Sequence, residues 1–349
     1  MMRIRFTFIL LLLLTFKGFS QFGGSSTYDF LNLSSSARVS ALGGFQAGLI
    51  DSTELQLSYY NPALLMPGMH NHVTVNYVNY ISDINYGYVA YSRHYDKIGN
   101  FAVGMHYINY GKFEESLNTG VKTGATFTAA DYALNLIYSR NIWKNITLGI
   151  NIKPIYSVYE TYNSFGIAAD LGASITDSTG LFSAGLVLKN MGTIIHSYQY
   201  LTEDINEPLP FDIQIGFSQK LAHAPFRFCV TLNQLHNWKL TDKTTWDKDN
   251  EKEGQMLEGK SDDIITQFLR HVIIGMEFVP SKNFSIGLGY NFQRKRELSV
   301  KSNSGFVGLS GGFNFKISKF RLSYAISSYH LSGISNIFSV SFNPSDFKH

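Results

Sequence analysis

The stretch Phe284-Ser285-Ile286-Gly287-Leu288-Gly289-Tyr290-Asn291-Phe292-Gln293 decides the fold. Its even-numbered residues are all large and apolar, and its odd-numbered ones are Ser, Gly, Asn and Gln. Successive side chains of a strand point to opposite faces, so this is a strand with one apolar and one polar side. Ten residues exceeds the ~5–6 usual in soluble sheets and matches the ~9–11 of a tilted transmembrane strand.

The same period recurs along the chain. Ile146, Leu148, Ile150 and Ile152 alternate with Thr147, Gly149, Asn151 and Lys153. Ile167, Ala169, Leu171, Ala173 and Ile175 alternate with Ala168, Asp170, Gly172 and Ser174. Fourteen such segments start near His70, Ile84, Asn100, Phe127, Ile146, Phe165, Leu181, Phe211, Phe226, His271, Phe284, Phe306, Phe320 and Asn336. Every second connection is a short turn, such as Asp96–Gly99, Asp177–Gly180 and Pro280–Asn283. The long connections, at 113–126, 195–210 and 241–269, all fall in the other set. Short periplasmic turns and long outer loops mark an outer-membrane barrel, whereas a soluble sandwich has no reason to sort its loops this way. Tyr and Phe near strand ends, among them Tyr77, Tyr95, Tyr110 and Phe342, fit the two aromatic girdles of such a barrel.

Composition agrees. The 349 residues are 16% charged and 15% aromatic, with a single Cys. That excludes a disulfide framework, a Cys-based metal centre, and nucleic-acid binding through bulk basicity. The formal charge of +3 comes from the first twenty residues: without Arg3, Arg5 and Lys17, the basic residues number 29 less 3, or 26, against 26 acidic ones. Residues 1–20 read as a secretory signal peptide, with the two arginines, an apolar run from Phe6 to Phe16, and Gly18-Phe19-Ser20 before the cut. The run is too short to span a membrane as a helix. The chain is thus expected to leave by Sec export for the outer membrane of a Gram-negative bacterium, crossing it as a closed barrel.

Residues 21–69 break the alternation. Ser36 to Gly44 offers a capping hydroxyl, small residues and terminating glycines, and Asn61-Pro62-Ala63 offers a second short turn. Fourteen strands leave an unfilled lumen, so this segment reads as an N-terminal luminal plug ahead of a barrel over 70–349. Arg38, Asn61, Asp170, Arg227 and Glu277 are the candidate plug and lumen residues, with Lys153 and Lys189 beside them. Buried charge in a narrowed lumen calls for a partner, and pairing between plug and wall is the expected use. With the polar face read as luminal, Ser174→Arg is expected to be milder than Leu171→Arg on the lipid face.

Several runs carry a resemblance. Gly23 to Leu33, Ser36-Ala37-Arg38 with Ala41-Leu42-Gly43-Gly44, and Asn61-Pro62-Ala63-Leu64-Leu65 resemble the PorQ-type outer-membrane proteins of type IX secretion systems. So do Ser164-Phe165-Gly166-Ile167-Ala168-Ala169-Asp170, Glu207-Pro208-Leu209-Pro210-Phe211, and His223-Ala224-Pro225-Phe226-Arg227-Phe228. The SAR…ALGG and NPA elements are shared with wider FadL-like barrels; the PLPF and APFRF runs are more specific. The resemblance implies a fourteen-stranded barrel with an N-terminal hatch and no catalysis. It also implies docking of the surface protein PorZ near the PorU–PorV sortase, so that secreted cargo is attached to the cell surface. The alternative is a FadL-like channel for a small or hydrophobic solute.

The remaining motifs are weak. Ser345-x-x-Lys348 and Lys122-Thr123-Gly124 imitate a penicillin-binding set in the wrong order and place. His70 and His72 lack an evident third metal ligand, and Asp247 to Glu251 imitates a calcium loop without its glycine. No enzyme activity, cofactor or metal is expected. The loop 241–269 holds eight acids and four lysines. Trp246, Asp247, Asp249, Glu251 and Met256 within it are the candidate partner-docking residues, because loops on a rigid scaffold carry recognition.

Overall fold

The computed structural model describes residues 26–116, 122–198, 208–240, 263–298, 306–330 and 333–347. The expected signal peptide, and docking candidates Trp246, Asp247, Asp249, Glu251 and Met256, lie outside the described residues.

Fourteen strands form one closed antiparallel barrel, each hydrogen-bonded to its sequence neighbours and the first to the last. They are β1 (Val73–Ile81), β2 (Ile84–Tyr95), β3 (Gly99–Ser116), β4 (Lys122–Trp143), β5 (Ile146–Tyr159), β6 (Tyr162–Thr176) and β7 (Phe182–His196). The second half holds β8 (Asp212–Lys220), β9 (Phe226–Leu232), β10 (Val272–Ser281), β11 (Phe284–Asn291), β12 (Leu309–Ile317), β13 (Phe320–His330) and β14 (Gly333–Phe342). Closure pairs Val73 with Phe342 and Asn79 with Asn336, so no strand edge is left unpaired.

Alternation sets the two faces. On β1, Thr74, Asn76 and Val78 are buried, while Val75 and Tyr77 are exposed. The outer wall carries Val103, Leu136, Leu148, Leu171, Leu186, Leu288 and Phe338, all exposed. Water would not tolerate such a belt, and lipid selects for it. Aromatic rings gather at both ends. Tyr95, Phe101 and Tyr138 pack together at the end carrying the short turns, with centroids 5.9 and 5.0 Å apart. Tyr110, expected in the girdle at the other end, instead faces inward: it meets Tyr159 at 5.7 Å, and both hydroxyls donate to the buried Asp131.

Two expected boundaries are corrected. The segment 113–126, read as a loop, is largely hairpin: β3 and β4 extend beyond their neighbours and Phe113 stacks on Phe127 at 5.3 Å. The aromatic and Thr residues there are strand formers, and a register shift at Asn109/Lys112 keeps the pair together. In the opening stretch, alternation runs on through Phe292 and Gln293, but β11 stops at Asn291. There the Asn291 side chain accepts from the Arg294 N–H at 3.0 Å and starts a helix, Phe292–Leu298. A local cap and the good helix formers of Gln293-Arg294-Lys295-Arg296-Glu297 outweigh two residues of period-two pattern.

Residues 26–69 lie inside the barrel. They form short helices, α1 (Ala37–Ala41) and α2 (Leu57–Tyr60), with 3-10 turns at Asp29–Asn32, Pro62–Leu64 and Pro67–Met69. Ser36 caps α1 by accepting from the Val39 N–H. Leu31, Leu42, Leu49, Leu55 and Leu57 are fully buried. Inward-facing glycines let this chain approach the wall: a Cβ on Gly149 would sit 2.3 Å from the Pro62 carbonyl carbon, and one on Gly216 would sit 2.5 Å from the Gly48 nitrogen. The other two helices, α3 (Ile264–Arg270) and α4 (Phe292–Leu298), stand at the end opposite the short turns.

Candidate functional site

The inner wall and the N-terminal segment meet through two charged clusters. The first centres on Arg38, the one Lys or Arg between Phe30 and Ser82. Its guanidinium donates from Nε to Glu277 Oε1 at 2.7 Å and from Nη2 to Oε2 at 3.1 Å. Nη1 donates to Asp51 at 2.7 Å and lies 3.4 Å from Glu54. Glu277 also accepts from Arg227 at 2.9 Å, its directly opposed partner across β9 and β10. Arg38 is 6% exposed and Glu277 1%. Two guanidiniums thus face three carboxylates, Arg38, Glu54 and Glu277 being buried and Asp51 and Arg227 partly open to water, and the charge of Arg321 also reaches Glu54. The fork geometry of arginine makes such buried pairing effective.

The surroundings separate the two acids of the segment. Burial opposes ionisation of Asp51, but the Arg38 charge and the Thr53 N–H and hydroxyl outweigh it and hold this carboxyl well below the usual range. Glu54 is fully buried and farther from the guanidinium; desolvation dominates there and raises its pKa.

The second cluster lies across β5, β6 and β7. Lys153 Nζ meets Asp170 at 2.6 Å, both side chains being buried. Asp170 further accepts from the Asn190 N–H at 2.8 Å and from Asn151 at 3.2 Å, and Lys153 donates to Asn190. Asn190 in turn donates to Asn32 and to the Pro210 carbonyl, tying the wall to the segment and to the β7–β8 connection. Asn61 starts the Pro62 turn by accepting from the Ala63 N–H, and reaches the Ala47 and Ala173 carbonyls with its amide. Tyr59 contacts the Leu31 carbonyl and His106 Nδ1 at 2.9 and 2.8 Å, with Lys189 5.2 Å over its ring.

Of the five plug and lumen candidates, Arg38, Glu277 and Asn61 join segment to wall, while Arg227 and Asp170 pair within the wall. Arg38, Arg227 and Glu277 come together; Asp170 and Asn61 sit apart from them. Asp51, Glu54, Tyr59 and His106 were not singled out from sequence. Asp51 and Glu54 are the only acids between Phe30 and Ser82, and that scarcity around a lone arginine was a readable signal. Ser174 corrects an expectation. It faces inward but not into water: its hydroxyl donates to the Ala63 carbonyl at 3.1 Å and the residue is 6% exposed. Among the described residues no group of three or more His, Cys, Asp or Glu is placed to hold a metal, and no helix is long and apolar enough to cross a membrane. Cys229 is buried, 3.7 Å from the Ser218 hydroxyl.

A closed fourteen-strand barrel with an apolar outer belt has the fold of an outer-membrane channel. Among solved structures the chain is similar to the toluene transporter TodX of Pseudomonas putida, with TM-score 0.56 at 11% identity over 91% of this chain and all of the other. It is also similar to the toluene transporter TbuX of Ralstonia pickettii, with TM-score 0.52 at 12% identity over 90% of this chain and 99% of the other. A FadL homologue of Pseudomonas aeruginosa aligns with TM-score 0.43 at 9% identity, over 89% and 98%. At these identities the likeness is one of fold. No family model matches the chain, and no curated protein does.

Proposed function

We propose that this barrel is a closed outer-membrane component of type IX secretion, holding a PorZ-like surface protein near the PorU–PorV sortase. The observation that carries the reading is where the resemblance-bearing residues fall. Arg38 of the SAR run, Asn61 of the NPA run, Asp170 of the FGIAAD run and Arg227 of the APFRF run all join the N-terminal segment to the wall or brace the wall beside it. Residues 26–69 serve as the plug of this closed scaffold, and the outer loops serve as the docking face. Export through the Sec pathway follows from the signal peptide.

A second reading is a channel for a small or hydrophobic solute. The fold neighbours favour it, since the two with the higher TM-scores are described as toluene transporters. In that reading the Arg38 cluster is a latch that must release.

A mild-detergent pull-down of the tagged protein from its native outer membrane, with planar-bilayer recording of the same preparation, separates the two. Co-recovery of a large surface β-protein and sortase components, with no conductance, supports docking. Recovery alone, with solute-dependent conductance, overturns docking in favour of transport.

A further inference from the structure

The end of the barrel opposite the short turns carries a cavity whose lining includes no residue of the luminal segment. It measures about 350 Å³ and lies between α3 and α4. Thr266, Leu269 and Arg270 line it from α3, Phe292, Lys295 and Arg296 from α4, and Tyr290 from β11. Three of these seven are cationic and none is acidic. Tyr290 shares the parity of exposed Phe284, Ile286 and Leu288, so the cavity opens on the lipid side of the wall. Tyr290 and Phe292 form its apolar floor, edge to face at 4.6 Å. In the ladder Tyr290 pairs with Ile274 and with Leu309, and both are exposed on the outer wall.

Cations above, aromatic rings at the rim and an aliphatic wall below match a lipid with an anionic head. Asp263 caps α3 by accepting from the Thr266 N–H and faces the Arg296 charge, and Glu297 accepts from Gln293 at 2.8 Å and faces those of Arg270 and Arg294. With Arg294, the described residues of the two helices and their caps hold four cations and these two acids, and neither acid lines the cavity. Short turns mark the other end as periplasmic, so this end faces the outer leaflet.

We infer that this cavity binds the phosphorylated headgroup of an outer-leaflet glycolipid, with its acyl chains against Ile274, Leu288 and Leu309. Arg270 and Arg296 supply forked donors for phosphate oxygens, and Lys295 supplies a point charge. The site would fix the height and rotation of the outer mouth in the membrane whether the barrel docks a partner or passes a solute.

The test uses the full-length protein in detergent, with bisphosphorylated lipid A, its dephosphorylated form and inorganic phosphate as probes, and native mass spectrometry with titration as readout. Retention of the bisphosphorylated lipid, weakened about tenfold on dephosphorylation and to a similar degree in R270Q/K295Q/R296Q, is the expected result. Lys319→Gln at the periplasmic end should leave binding unchanged. Equal retention of both lipids reduces the cavity to ordinary annular contact and overturns the inference. Saturation by inorganic phosphate at the same affinity also overturns it, because the site then takes a free anion. Should the triple variant fail to fold, as judged by heat-modifiable migration, exposed Arg296→Gln alone must still weaken retention of the phosphorylated lipid; unchanged retention overturns the inference.

Discussion

Replacing Glu277 by Gln tests whether the segment inside the barrel is held by charge. The side chain keeps its shape and loses its negative charge. In the native arrangement Glu277 accepts three hydrogen bonds, two from Arg38 and one from Arg227, at 1% exposure. Removing one partner of a buried ion pair costs about 3–5 kcal/mol, because the other charge is left uncompensated. The low end applies here. Arg38 keeps Asp51 at 2.7 Å, and the Arg227 side chain is 13% exposed and can draw on water. Since Arg38 stands on the segment and Glu277 on the wall, most of that loss falls on the contact between them. About 3 kcal/mol corresponds to roughly a hundredfold change in an equilibrium. In planar bilayers, Glu277→Gln should therefore raise the time spent in conducting states by about two orders of magnitude, while heat-modifiable migration shows the barrel intact. Arg38→Met should open the barrel at least as far, because it leaves Asp51, Glu54 and Glu277 without their shared guanidinium. If Glu277→Gln conducts no more than the native protein, the ion cluster does not hold the segment, and apolar packing around Leu42 and Leu57 does.

Three further outcomes follow from the geometry. Leu171→Arg, on the lipid face, should lower folding free energy into vesicles by ~2–4 kcal/mol in denaturant titration; Ser174→Arg should not be milder, since its site is occupied by the Ala63 carbonyl. Gly149→Val should displace the Pro62 turn and expose residues 61–65 to protease in the folded barrel, because the added carbon meets main chain at 2.3 Å; an unchanged digestion pattern would count against the close approach. Acid should act in two opposed steps. Glu54 has a raised pKa in place, so its protonation as pH falls toward its free value of 4.5 favours the closed arrangement. Asp51 is depressed, so its contribution is full above its free value of 3.8 and is lost as pH falls below that. Closure measured by conductance should pass a maximum near pH 4 and then weaken, and Asp51→Asn should remove the acid limb while leaving the Glu54 limb.

The barrel was legible because its signal is periodic. Lipid on one side and packed chain on the other force the same two-residue alternation on strand after strand, and Leu148, Leu171 and Leu288 report it without any knowledge of their neighbours. Loop parity was legible for a similar reason: each short turn closes a hairpin on the same end of the barrel, and that geometry repeats. Failures came where a local interaction competes with the period. Nothing in alternation distinguishes Asn291 as the last strand residue; its side chain does so by capping the next helix. Nor does alternation show that Ser174 faces protein rather than water, since polarity of the inner face is the same whether the lumen is wet or filled.

The clusters were half legible for a different reason. Asp170, Arg227 and Glu277 could be assigned to the inner wall from parity, and Arg38 to the segment from position, but their pairing is set by how the segment folds inside the barrel. Across 239 residues of sequence separation, Arg38 meets Glu277 because α1 is placed against the wall by Ser36, Ala41 and Leu42. Those are contacts of main chain and small residues, which carry no periodic signature. Yet the charge balance itself constrains the answer. One cation and two anions in the buried stretch from Phe30 to Ser82 cannot be left unpaired in a low-dielectric interior. Arg227 opposes Glu277 in the wall, Arg38 brings Asp51 and Glu54 to the same place, and the charge of Arg321, whose side chain donates to Thr53 at 3.0 Å, also reaches Glu54, so three cations stand against three acids. A raised Glu54 pKa then reports burial rather than an excess of acids: desolvation of this carboxyl outweighs the Arg38 and Arg321 charges, whereas Asp51, held by Arg38 at 2.7 Å and by Thr53, is kept ionised.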